Sequence, residues 1–148
     1  MFTREELIGY FHRLPWPMSL HLEIVEFVPT DFRSFASEES IKAWRGEKSF
    51  YTSALQFWRS VLQVEGWSGK ELHFLSYTEA CLFQSISKAE FSDIVLDSSG
   101  LLQRPLPRFL TDLDGFKSGL RMLAEWNDVT VMAELSGSFI AYSWSTTA

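Results

Sequence analysis

The chain has a single cysteine, Cys81, which excludes an internal disulfide and any zinc site built from several thiolates. Its three histidines, His12, His21 and His73, stand apart from one another. The spacing that sets two imidazoles on one helix face around a metal is therefore missing, and no metal or other cofactor is expected. Long apolar runs are missing too: no stretch approaches the ~18 residues that cross a bilayer. The opening Met1-Phe2-Thr3-Arg4-Glu5-Glu6 is acidic where a secretion signal is basic. A cytoplasmic setting without membrane association is the expectation. Positive charge is in deficit, with 13 Lys and Arg against 19 Asp and Glu and a net charge of −6. Electrostatics then oppose binding to nucleic-acid phosphates and favour a basic partner.

What the chain does have is aromatic surface. Thirteen Phe and six Trp in 148 residues suit one domain spanning 1–148, and six indoles exceed what such a core hides completely. Thr3 and Glu6 have capping-box spacing before a helix over Arg4–Arg13, which Pro15 and Pro17 stop. Ser19–Val28 alternates as a strand, with a phase switch that suggests a bulge. Thr30 or Asp31 can cap a short turn through Phe35, and Ser37 starts a helix closed by Gly46. Phe50–Val64, behind a Ser49 cap, is a helix apolar around its whole circumference, hence central or an interface. Leu72–Tyr77 reads as a strand, 78–88 leans to helix, and Phe91–Asp97 reads as a strand. Thr111 and Asp114 open a last helix to Trp126, its buried stripe being Leu113, Phe116, Leu120, Leu123 and Ala124.

The most secure element is a C-terminal hairpin (129–135, 138–146) with Ser136 and Gly137 at its tip. Side chains alternate along strands. Val129, Val131 and Ala133 therefore stand opposite Trp144, Tyr142 and Ile140 on a core face, while Thr130, Met132 and Glu134 stand opposite Ser143, Ala141 and Phe139 on a half-wet one. The expected fold is a single α+β domain: an antiparallel or mixed sheet of about four to six strands with helices packed on one side.

No nucleotide fingerprint, phosphate loop or nucleophile elbow is present. Cys81 sits in Glu79-Ala80-Cys81-Leu82-Phe83 as a small buried hydrophobe, and the pairs Glu5/Glu6, Glu38/Glu39 and Asp112/Asp114 are accounted for by helix N-termini. No catalytic residue is assigned. Acidic groups beside aromatic anchors point to non-catalytic binding of another protein, basic in character, in the manner of an inhibitor or immunity-type protein. The expected contact residues are Asp112, Asp114, Glu125, Trp126, Asp128, Glu134 and Phe139, with Glu134 and Phe139 pictured as an exposed acid beside an exposed ring. An alternative is a ligand-binding or enzymatic pocket between sheet and helices, lined by Trp58, Tyr77, Tyr142 and Trp144 and reached by His73 or His21. A further alternative is a subunit of a larger assembly docked through Phe50–Val64.

Overall fold

The structure is a computed structural model and describes residues 1–13, 16, 20–33 and 37–147. Strands β1 (Glu23–Phe27), β2 (Glu39–Glu47), β3 (Gln84–Ile86), β4 (Ser118–Glu125), β5 (Asp128–Glu134) and β6 (Ser138–Thr146) form an antiparallel sheet in the order β1-β2-β6-β5-β4-β3. Helices α1 (Arg4–Phe11), α2 (Ala54–Val64), α3 (Glu71–Ala80), α4 (Lys88–Ser98) and the short α5 (Arg108–Thr111) complete the α+β fold. The C-terminal hairpin has the expected register: Val129, Val131 and Ala133 face Trp144, Tyr142 and Ile140, and Thr130, Met132 and Glu134 face Ser143, Ala141 and Phe139.

The helices cover both faces of this sheet, not one. Residues of α1, α2 and α3 pack with Trp44, Leu120, Met122, Met132, Phe139 and Ala141 in one core. Residues of α4 and α5 pack with Ile41, Ala43, Val131, Ala133, Ile140 and Tyr142 in a second. The cause lies in the central strands, whose successive residues are apolar on both sides, so each face needs a cover. The hairpin face read as half-wet is in fact buried at Met132, Phe139 and Ala141.

Local chemistry explains the helix starts. Glu6 N–H donates to Thr3 Oγ1 (3.2 Å) and Thr3 N–H to Glu6 Oε1 (3.3 Å), closing the expected box. The cap of α2 is Ser53 rather than Ser49, through Gln56 N–H at 3.1 Å. Ser87 and Glu90 form a second capping box at α4. This explains why Phe91–Asp97 is helical: Phe91 and Val95, one turn apart, enter the second core. Likewise Leu72–Tyr77 lies in α3, which buries Phe74 and Thr78 at helical spacing. Residues 78–88 span the end of α3, all of β3 and the start of α4.

Two expected helices are strands. The segment after Ser37 is β2, whose Ile41 and Ala43 face one core and Trp44 the other. Thr111–Trp126 contains only the end of α5, then a turn at Gly115 (φ +77°) and β4. Leu120 and Leu123 mimic helix spacing because Met122 is an extra residue at a register shift: Leu120 faces Met132 and Leu123 faces Thr130. In β1 the pairing runs without a shift from Glu23 to Phe27, so the expected bulge is not in that span. The prolines after α1 and the end of the turn at Phe35 lie outside the described residues.

Gly46 shows how tightly α2 seats on the sheet. A Cβ there would lie 2.7 Å from the Tyr51 ring and 2.8 Å from Phe57, and burying Phe57 alone is worth roughly 2–3 kcal/mol. Gly46→Ala is therefore expected to lower stability by about 1–3 kcal/mol. Gly137→Ala, with nothing within 4 Å of the new methyl, should change it by less than about 0.5 kcal/mol. Urea unfolding of the two variants checks both.

Candidate functional site

Strand register arranges the sheet face under α1, α2 and α3 in transverse rows. Gly46, Phe139 and Glu134 form one row, and Trp44, Ala141 and Met132 the next. Beyond these the composition changes: Lys42, Ser143 and Thr130 form a third row, and Ser40, Ser145 and Asp128 a fourth. The first two rows are built mainly for helix packing. The last two give the same face a polar floor toward the β4–β5 turn, with Ser40 and Ser145 hydroxyls 3.1 Å apart and Thr130 Oγ1 3.4 Å from Ser143 Oγ.

Over this floor stand aromatic walls. Trp58 of α2 meets Trp44 edge-on at 6.3 Å. Trp67 lies 5.2 Å from Tyr77 of α3. It is held in place by the turn that ends α2: Gly66 at φ +82° lets Trp67 N–H donate back to Leu62 O at 3.0 Å. Together these rings, with Leu123, Glu65, Asp128, Thr130 and Ser143, enclose a cleft of about 190 Å³. Two further clefts adjoin it through Glu65: one of about 260 Å³ with Ser40 and Lys42, the other of about 290 Å³ with Lys70 and His73.

The charges here are unequal. Lys42 Nζ is committed to both oxygens of Glu65, at 3.0 and 3.1 Å. Asp128 has no such partner; burial, then the neighbouring Glu125, pushes its carboxyl up to about 6. Burial and the adjacent Cys81 raise the Tyr77 phenol well above its ordinary value, and burial pushes the Cys81 thiol up to about 11. Both are neutral at physiological pH, so Cys81 lacks the thiolate that a nucleophile needs. Trp58 is 3 % exposed and its Nε1–H makes no hydrogen bond of normal geometry, although it lies close enough to the Tyr77 hydroxyl to act on its titration.

The seven expected contact residues divide between the two ends of β5, roughly 20 Å apart. At one end Glu125, Trp126 and Asp128 cluster at the β4–β5 turn, with Trp126 75 % exposed. At the other end the picture of an exposed acid beside an exposed ring fails. Phe139 is 3 % exposed and stacks on Phe57 at 5.7 Å, and Glu134 pairs with Lys48 at 2.7 Å. Asp112 and Asp114 sit on the exposed loop between α5 and β4, where Asp112 lies 3.7 Å from Arg108. Asp112 also lines a cleft of about 380 Å³, but there Glu23 and Arg45 pair with each other at 3.9 Å and Asp112 with Arg108. That cleft has no unmet charge.

Of the pocket residues expected from sequence, Trp58 and Tyr77 line the aromatic cleft. Tyr142 and Trp144 belong to the opposite face, where Tyr142 Oη lies 2.6 Å from Ser98 Oγ and Trp144 Nε1–H donates to Glu39 at 2.9 Å. His73 borders the adjoining cleft, and His21 stacks on Phe50 at 3.9 Å. Trp44, Glu65, Trp67 and Lys42 were missed because they come from separate elements and share no local spacing. Among the described residues no three His, Cys, Asp or Glu gather as a metal site, and no helix is long and apolar enough to cross a membrane.

Asp128 carries a stability cost whose sign can be tested. Its folded value of about 6 exceeds the ordinary 3.8, so its contribution to stability is present in full below 3.8 and lost as pH rises through 6. At neutral pH its charge opposes folding. Asp128→Asn should stabilise by about 1 kcal/mol near neutral pH, after allowing for solvent screening of a half-buried group, and by little near pH 4. Urea midpoints of both proteins at the two pH values check this.

Compared with family models, curated proteins and solved structures, the chain matches none.

Proposed function

We propose that this chain acts by non-catalytic binding of a basic protein, as an inhibitor or immunity-type protein does, and that the β4–β5 turn is its contact surface. The observation that carries this reading is Trp126. It leaves three quarters of a large apolar side chain in water at a two-residue turn, between Glu125 and Asp128. Indole is the side chain most often found to anchor a protein interface, and flanking carboxylates steer a cationic partner toward it. The net charge of −6 acts in the same direction over longer range and disfavours nucleic acid as the target. A basic nuclease or toxin, whose substrate cleft is itself cationic, has the complementary chemistry. A reducing, cytoplasmic setting accords with one buried, free cysteine.

The alternatives fare differently. Docking through Phe50–Val64 has little left to dock with, because Phe57, Trp58, Val61 and Leu62 of that helix are consumed in the core. A small-ligand reading is favoured by one specific observation, the aromatic cleft beside Asp128.

The test is to retain partners from a host extract on the immobilised chain, identify them by mass spectrometry and titrate the retained protein against variants. Trp126→Ala and Glu125→Lys should each weaken a basic partner about thirtyfold or more. Asp114→Lys, at the far end of β5, should weaken it less than about threefold. A retained partner indifferent to Trp126→Ala and Glu125→Lys removes this surface. Retention of a small molecule and no protein removes the reading.

A further inference from the structure

We propose that the cleft beneath α2 and α3 is a binding site for an organic cation of side-chain size, an alkylammonium or alkylguanidinium, with Asp128 as its counter-ion and Trp44, Trp58, Trp67 and Tyr77 as its walls.

The argument begins with register. Asp128 stands in line with Ser145 and Ser40 on the face under α1, α2 and α3, two residues from Thr130 and four from fully buried Met132. A carboxylate drawn out of water there needs a positive partner or several hydrogen-bond donors. It has neither. The ammonium in the neighbouring cleft, Lys42, gives its hydrogen bonds to Glu65, and the charge acting on Asp128 is the like charge of Glu125. With Glu65 balanced by Lys42 of the adjoining cleft, the ionised Asp128 leaves one net negative charge at the site.

The walls select within the cations. Indole and phenol faces are electron-rich and attract a cation within about 6 Å of the ring centroid, most strongly when water is excluded. A small inorganic ion leaves those faces unused and requires several converging oxygens. An anion is repelled, and a neutral apolar group leaves the carboxylate unpaired. The space of about 190 Å³ is below the roughly 300–1,000 Å³ of drug-sized sites, so the cleft suits one headgroup and its short alkyl stem.

The site does not depend on the protein-binding surface proposed above. The cation is either a free small molecule or the end of a lysine or arginine side chain on a docked protein, and the experiment separates the two. Tryptophan fluorescence and amide chemical shifts are followed during titration of the purified chain with n-butylguanidinium, n-butylammonium and the neutral isostere n-butylurea. Saturable binding of the two cations is expected, with butylurea at least about tenfold weaker. Asp128→Asn, a variant expected to fold more stably than the parent, should weaken the cations about tenfold or more.

Lowering the pH from about 7.5 to 5 should weaken them about tenfold, as Asp128 takes up a proton. The charged and titratable groups around Asp128 are Glu125 beside it, Glu65 in the cleft lining with its partner Lys42 in the adjoining cleft, and Tyr77 and Cys81, the last two neutral throughout. Because His73 borders the adjoining cleft, the pH series is repeated in His73→Gln and should be unchanged. Equal binding of butylurea, or undiminished cation binding by Asp128→Asn, overturns the proposal. Trp126→Ala should leave cation binding intact, so failure of the protein-binding surface and failure of this cleft are read separately. If butylguanidinium displaces a retained protein, the cation is that protein's side chain; if cations bind and displace nothing, it is a free small molecule.

Discussion

The fold depends on the double commitment of β6. This last strand pairs with β2 from Glu39 to Glu47 on one side and with β5 from Asp128 to Glu134 on the other, so it joins the N-terminal β1–β2 pair to the run β3-β4-β5. Its side chains commit it twice more: Phe139 and Ala141 enter the core under α1, α2 and α3, while Ile140 and Tyr142 enter the core under α4 and α5. Few strands of a half-wet sheet meet that demand, because alternation normally dedicates one face to solvent. Here five consecutive residues, Ser138 to Tyr142, are buried, and neither core is complete without them. Strand β2 reaches β6 across about a hundred residues of chain, the kind of non-local contact that slows folding.

The candidate site sits where this construction changes character. Along the rows of the face under α1, α2 and α3, packing residues give way to Lys42, Ser143, Thr130, Ser40, Ser145 and Asp128. The same strands thus serve as core at one end and as polar floor at the other. The Lys42–Glu65 pair balances its own charges, whereas Asp128 is desolvated and opposed by Glu125. Asparagine would keep much of the shape of Asp128 without the cost of a buried charge. A carboxylate retained at a loss of stability is the kind of local inconsistency that sites of recognition tolerate.

Sequence revealed the parts of the fold governed by short-range rules. Residues 129–146 flank a two-residue tip that sets their register, and every expected pair forms; Thr3 and Glu6 announce α1 through reciprocal caps. It misled wherever tertiary packing redefined a spacing. Met122, one extra residue in β4, made Leu120 and Leu123 look like a helix stripe. Phe74 and Tyr77 in α3, and Phe91 and Val95 in α4, looked like strand residues because aromatic and β-branched side chains favour strands when context is ignored. The site was half legible for the same reason. The acids and the indole around residues 125–128 are neighbours in sequence. The cleft is assembled from β2, α2, the loop after it, α3, β4, β5 and β6, and no local spacing encodes that convergence.

An open antiparallel sheet also has two borders, and these are treated differently from its interior. On one side β3 offers three residues, Gln84–Ile86, too few to template a long added strand. On the other, β1 presents Glu23-Ile24-Val25-Glu26 with both glutamates exposed, so an incoming strand would meet like charges and a short run of available backbone. Charged or truncated borders are how natural sheets resist edge-to-edge growth into aggregates. In a chain this rich in phenylalanine and tryptophan, those seven residues oppose extension of the sheet beyond its own six strands.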